Sequence, residues 1–181
     1  QARQWIATYA TTDACLSYSD WAGEVLTDQS GGKINYIGSA PPSAHPAYQP
    51  MSQEERRVNR ENYGIDPNSK IIGTVMRNQR RKLYPDLFEA FKKAKSNGII
   101  HNLLVIGKND NIVWEQAKHI PGIVMCGFVT EKLMIQIIQG SEALILPSLH
   151  EGFGLPLVEA MACGIPAITS NVFSPPEIVK D

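Results

Sequence analysis

The sequence predicts an α/β protein in which a parallel sheet is flanked by helices. From Lys70 onward, short apolar runs alternate with amphipathic segments, the order that lays helices over both faces of a parallel sheet. The composition is that of a packed domain, with 43% hydrophobic and 19% charged residues in 181. Disordered chains instead combine low hydrophobicity with high net charge.

The strands are expected at 71–76, 103–106, 123–126, 143–146 and 167–169, with helices at 85–95, 113–118, 131–139 and 155–163. In the first of these helices Leu87, Phe88, Phe91 and Ala94 share a face, and Lys92, Lys93 and Lys95 sit near the negative end of its dipole. Upstream, Ser52 and Glu55 form a capping box, which starts a helix over 53–63 that stops at Gly64. Its polar body, with Arg56, Arg57, Asn59 and Arg60, predicts a surface position. Four prolines within residues 41–50 can continue neither a helix nor a central strand, so residues 39–50 read as a linker. Before the linker lie a strand at 14–18, a helix cap at Ser19, a helix at 21–26 and a strand at 34–37, too little for a domain.

Seventeen Lys and Arg against eighteen Asp and Glu leave a net charge of -1, with no basic stripe to neutralise a row of phosphates, which argues against a nucleic-acid binder. Runs such as Leu103 to Ile106 and Ala143 to Leu146 fall far short of the roughly 18 apolar residues of a spanning helix. The start, Gln1-Ala2-Arg3-Gln4-Trp5, has neither an initiator Met nor a signal-peptide pattern, so the chain is expected to be a piece of a longer protein. Cys15, Cys126 and Cys163 show no CxxC spacing, which favours reduced thiols in a cytosolic protein over a disulfide framework or a zinc site.

Ligands of open parallel sheets sit beyond the carboxyl ends of the strands, so the loops after Met76, Ile106, Cys126 and Leu146 matter most. In the last, Gly152 and Gly154 leave the backbone bare and Pro156 suits a first helical turn. Free amides there can hold an anion or the oxygens of a polar ligand. Glu151 and Glu159 flank this turn with seven residues between them, placed to accept hydroxyl hydrogens from a polyhydroxylated ligand. The bland reading of Glu159 is a capping or ion-pair role, against which Glu151 stands at the loop entrance. The loop after Met76 carries Arg77, Arg80, Arg81 and Lys82. It reads as a diphosphate clamp or a solvated turn, and the carboxylate loop in the same layer favours the clamp. No GxxxxGK(S/T) loop, no GxGxxG after a strand and no paired aspartates for a divalent metal occur, so no metal site is expected and NTPase and dinucleotide chemistries lose support. The four histidines are scattered, and His150 beside Glu151 is placed either in the pocket or on the surface.

The segment PSLHEGFGLPLVEAMACGIPAITSN, residues 147–171, closely resembles the signature of retaining glycosyltransferase family 4. Both glutamates, both loop glycines and the Ala-Met-x-x-Gly-x-Pro ending are in register. The turn Cys126-Gly127-Phe128-Val129 resembles the family's base-binding turn, and Thr74-Val75-Met76-Arg77 with Lys82 its phosphate-binding pair. The resemblance implies a Rossmann-like parallel sheet flanked by helices, the C-terminal half of a GT-B glycosyltransferase. Residues 51–181 would be the nucleotide-sugar-binding domain, truncated before its C-terminal helix, and residues 1–50 the end of the N-terminal domain with its linker.

By the same resemblance Arg77, Lys82 and Glu151 are the catalytic residues: Arg77 and Lys82 neutralise the donor diphosphate, and Glu151 contacts the transferred sugar with amides from Gly152, Phe153, Gly154 and Leu155. Glu159 would bind the ribose, and Phe128, Val129 and Leu133 the base. No cofactor is implied. The donor would be a UDP- or GDP-linked sugar, transferred with retention and without metal to a glycan or lipid-linked acceptor held by the N-terminal domain. The whole protein would be cytoplasmic, or peripheral at the inner face of a membrane, and the fragment alone inactive. Met76 and Leu83 depart from the family, which often has Gly at both places. A noncatalytic nucleotide-binding or scaffolding domain is the alternative, favoured if both glutamates engage protein groups and the pocket is filled. A GT-B sugar-nucleotide epimerase fits the carboxylate spacing less well.

Glu159→Ala is expected to weaken nucleotide binding by about 1 to 3 kcal/mol, the range for hydrogen bonds to a charged group. Unchanged affinity in calorimetry of the folded variant removes Glu159 from the site.

Overall fold

Two parallel sheets form, and the larger follows the predicted alternation. The protein was analysed as a computed structural model that describes residues 2–107 and 111–180. Its elements are α1 (Ala2–Tyr9), β1 (Cys15–Ser17), α2 (Asp20–Ser30), β2 (Tyr36–Ser39), α3 (Gln53–Asn62), β3 (Ile71–Val75), α4 (Tyr84–Ser96) and β4 (Asn102–Ile106). They continue with α5 (Asn111–Ala117), β5 (Ile123–Gly127), α6 (Glu131–Gln139), β6 (Ala143–Leu146), α7 (Leu155–Ala162), β7 (Ala167–Thr169) and α8 (Pro175–Ile178). A 3-10 turn at Arg80–Lys82 precedes α4. Of the loops singled out above, the one after Ile106 is described only at Gly107, and residues 108–110 lie outside the described residues, as does Asp181.

The five-stranded sheet has the order β5-β4-β3-β6-β7, every pair parallel. The chain builds outward from β3 to β5, then returns to lay β6 on the other side of β3. That reversal makes β3/β6 the switch point of the sheet, where a crevice opens beyond the carboxyl ends. Alternate residues of β4 feed opposite faces: Leu103 and Val105 join the large core with Phe88 and Leu157, whereas Leu104 and Ile106 pack with Ile71 and Ile137. Burial on both faces accounts for its unbroken apolar run.

The capping box closes as expected, with the Glu55 amide donating to the Ser52 hydroxyl at 3.2 Å and the Ser52 amide to the Glu55 carboxylate at 2.7 Å. Gly64 follows the helix in the left-handed region at φ 69°. Three features differ from expectation. Helix α2 runs on to Ser30, where Gly31 (φ 58°) turns its amide back onto Asp28 and Thr27. Strand β2 begins at Tyr36, whose amide bonds the Ile34 carbonyl at 2.9 Å in a tight turn, while the Asn35 carbonyl still accepts the Cys15 amide of β1 at 2.9 Å. Helix α3 is not purely a surface helix: the buried Arg60 guanidinium donates to the Gly140 carbonyl at 2.6 and 2.9 Å and pairs with Glu142 at 2.6 Å. The Asn59 amide donates to Gln136 at 2.7 Å. Charge that reads as solvated in sequence thus ties α3 to the start of β6. The helices α1 and α8 carry no pattern that anticipated them.

At the carboxyl edge, bare backbone is required at Gly107, where an added Cβ would lie 2.0 Å from the Met76 carbonyl oxygen. At Gly152 an added Cβ meets nothing within 4 Å. Gly107→Ala should therefore cost about 1 to 3 kcal/mol by overpacking, and Gly152→Ala much less. Urea melts of the two variants check this ordering, and equal losses would contradict it.

Candidate functional site

The loops after β3 and β6 meet at the switch point and are laced together. The Leu149 amide donates to the Arg81 carbonyl at 2.8 Å, and the Ser148 hydroxyl to the same carbonyl at 3.3 Å. The Arg81 guanidinium donates to the His150 carbonyl and lies 3.3 Å from the Glu151 carboxylate. Lys82 completes the brace with a direct hydrogen-bonded ion pair to Glu151. Lys82 is 9% and Glu151 7% exposed, so each needs the other. Burial would push the Glu151 carboxyl up, but hydrogen bonds from Lys82 and Ser148 and the charges of Lys82 and Arg81 outweigh it and hold the group below the usual carboxylate range.

Beside this brace a cavity of about 510 Å³ opens over the ends of β3, β4 and β5. Its chemistry is divided. The end of β3 and the loop after it contribute Val75, Met76, Arg77, Gln79, Arg81 and Lys82, and the end of β5 with α6 contributes Gly127, Phe128, Val129 and Met134; the strand order places β4, with Ile106 and Gly107, between them. Arg77 is exposed and, among the described residues, makes no ion pair. Phe128 is 88% exposed, an aromatic ring held in water at the rim. Gly127 at φ 69° makes the turn that lifts it there. A cationic half facing an aromatic half suits a ligand with charged and planar parts.

The remaining expected residues lie outside this lining. Glu151 stands behind Lys82 and Arg81. Leu133 packs beneath the sheet beside Ile137 and Leu104 instead of lining the cavity, because Met134, one position on, points to it. Gly152, Phe153, Gly154 and Leu155 form the turn into α7, where Gly154 at φ 97° is the N-cap and Pro156 fills the first turn. Glu159, 8% exposed, lies along α7. Burial raises its pKa, the Tyr48 hydroxyl opposes the rise and Glu131 adds to it. Among the described residues, no three His, Cys, Asp or Glu side chains gather as a metal site.

The first sheet's helix abuts the same loop. The Ser19 hydroxyl donates to the Gly152 carbonyl at 3.1 Å, and the Asp20 and Trp21 amides at the start of α2 donate to the Glu177 carboxylate at 3.0 and 2.5 Å. Trp21, His150 and Phe173 pack as an aromatic cluster with centroids 4.5 to 6.0 Å apart. His150 is therefore engaged with aromatic rings and is not among the residues that line the cavity. Sequence reasoning passed over Arg81 as a brace, Ser148 and Tyr48. The first two lay in loops already singled out, whereas Tyr48 carries no signal within its proline-rich surroundings.

Comparison with known proteins gives a consistent picture. Residues 55–181 match the family described as Glycosyl transferases group 1. O-antigen chain mannosyltransferase B of Escherichia coli is 27% identical over 97% of this chain and 45% of its own length. The serotype-specific mannosyltransferase WbdA of the same organism is 42% identical over 57 residues, covering 32% of this chain and 7% of WbdA. Anabaena Alr3699/HepE, solved with UDP and glucose, superposes with a TM-score of 0.84 at 16% identity, over 99% of this chain and 50% of that one. A Rickettsia africae glycosyltransferase superposes at 0.80 and 19% identity, over 98% and 50%. The chain thus spans about half the length of these full-coverage relatives, and its fold is that of GT-B glycosyltransferases.

Lys82→Met leaves the buried Glu151 with the half-exposed Arg81 as its remaining cation and should lower stability by up to about 3 kcal/mol at neutral pH. Adding Glu151→Gln should recover part of the loss. The pair holds the folded Glu151 pKa below the unfolded value, so its stabilisation is complete above the unfolded carboxylate range and is lost as pH falls through the folded value. Denaturation curves of wild type and Lys82→Met should converge in acid; a pH-independent gap would exclude the ion pair as the cause.

Proposed function

This chain belongs to the group 1 glycosyl transferases, and from that premise we propose that residues 51–181 bind the nucleotide-sugar donor of a retaining, metal-independent enzyme of family 4. Residues 1–50 would be the end of the acceptor-binding domain and the linker. The observation that carries the reading is the divided cavity, with Arg77, which makes no ion pair among the described residues, on one side and the exposed Phe128 on the other. A nucleoside diphosphate has that division: a base to lie against Phe128 and Val129, and phosphates to meet Arg77 and Lys82.

The transferred group would be a hexose, with mannose favoured by the names of the relatives, and the donor UDP- or GDP-linked. The acceptor would be a glycan or lipid-linked glycan, met in the cytoplasm or at the inner face of a membrane. Among the described residues no helix is long and apolar enough to cross a membrane. As the bond between anomeric carbon and diphosphate breaks, negative charge grows on the leaving group. Arg77 and the Lys82 end of the brace would offset it in a preorganised site. Lys82 would be shared between Glu151 and the diphosphate, with Arg81 keeping Glu151 from standing unpaired. Glu151 would meet sugar hydroxyls with the Gly152 to Leu155 amides, and Glu159 the ribose. With the acceptor held by another domain, the chain alone would bind donor without transferring sugar.

The engagement of Glu151 by Lys82 and Arg81 also favours a second reading, a noncatalytic nucleotide-binding domain. The open cavity speaks for the enzyme. Calorimetry against UDP, GDP, ADP and their sugar conjugates, first without metal and then with magnesium, separates these outcomes. Metal-independent binding of one diphosphate is expected, with Arg77→Ala weakening it about tenfold while leaving nucleoside affinity nearly unchanged. Equal losses for diphosphate and nucleoside would refute the clamp. Binding without transfer by a protein that carries both domains would favour the noncatalytic domain.

A further inference from the structure

The linker is pinned onto the second domain around one residue. The Gln139 side-chain amide, at the end of α6, donates to the Ala47 carbonyl at 3.4 Å and the Gln49 carbonyl at 2.9 Å, so both neighbours of Tyr48 are held. The Tyr48 amide closes a turn onto His45 at 2.9 Å, and Pro50 lies against Gly164 just beyond α7. The Tyr48 ring is consequently 4% exposed and belongs to the core that holds Ala160 and Cys163 of the α7 region. A phenylalanine would fill that space equally well. The hydroxyl, fully buried, closes no hydrogen bond of ordinary geometry within the protein. A buried phenol needs an acceptor, and the Glu159 carboxylate is within its reach. Glu159 itself makes no ion pair among the described residues.

We propose that Tyr48 is a positioning residue for Glu159: its hydroxyl donates to the carboxylate and holds it in the orientation that receives the ribose hydroxyls of a nucleoside diphosphate. The proposal rests on the donor-binding reading above, and it makes the interdomain linker part of the donor site. Two other charged or titratable groups act on this pair, Glu131 on both members and Cys163 on Tyr48. Glu131 of α6 disfavours its ionisation, while Cys163 is held up by burial and by Glu159, with Arg56 of α3 opposing. Burial raises the Glu159 pKa and the tyrosine hydroxyl restrains the rise. Removing that hydroxyl should let the pKa climb further.

Tyr48→Phe keeps the ring and removes one buried polar atom. In the ligand-free protein, carbon-13 NMR should show the Glu159 carboxyl titrating at higher pH in the variant. With UDP or GDP as probe, affinity at neutral pH should fall about threefold to tenfold. Because the ribose hydroxyls donate to the ionised carboxylate, the acid limb of the binding profile should also move up. A merely structural tyrosine would move neither profile. An unchanged Glu159 titration overturns the hydrogen bond. A shifted titration with unchanged UDP and GDP affinity overturns the positioning role. Absence of binding of either nucleotide to wild type overturns the donor reading, and the positioning role with it.

Discussion

A buried ion pair joins the two loops on which the site is built. Lys82 and Glu151, 69 residues apart, cannot be desolvated singly without a large penalty. Once paired, they tie the end of β3 to the end of β6. Arg81, beside Lys82 in the chain, strengthens the tie, its backbone carbonyl receiving Leu149 and Ser148 and its guanidinium reaching His150 and Glu151. The strand order places β3 beside β6, so the brace sits at the point where the sheet reverses direction and a crevice must open. The cavity, the turn into α7 and the docking of α2 onto Gly152 all depend on this fixed edge.

Fixing the edge frees other groups for a ligand. Lys82 and Arg81 hold Glu151 while still lining the cavity, whereas Arg77 faces the cavity without a partner among the described residues. On the far side, the Gly127 turn holds Phe128 out in solvent. An exposed aromatic and an exposed guanidinium at the cavity contribute little to folding. They are the features by which a planar and a charged part of one ligand would be told apart.

The fold was largely legible because its signals are local. Apolar runs bounded by turns located the five strands of the main sheet, and the Ser52–Glu55 box located α3. The neighbour order β5-β4-β3-β6-β7 was not, since periodicity carries no information on which strands pair. Nor was the fate of charge. The Arg60 side chain reads as solvated, but Gly140 and Glu142, some eighty residues away, claim it. Leu83 shows the reverse case, in which structure explains a departure in the sequence. It adopts φ 52° at the start of α4, a left-handed position suited to the glycine that the family often has there. In the candidate site, the loops were legible from composition, while partners within them were not. Tyr48 was hidden entirely, since a proline-rich sequence reads as a linker without revealing which of its side chains turns inward.

The most direct measurement is a crystal structure of the protein with whichever of UDP or GDP it binds. The diphosphate should lie within hydrogen-bonding distance of Arg77, with the ribose at Glu159 and the base against Phe128 and Val129, while Arg81 still holds Glu151. A nucleotide bound elsewhere on the protein, or one in the cavity with its phosphates turned away from Arg77, would contradict the assignment of this cavity as a donor site.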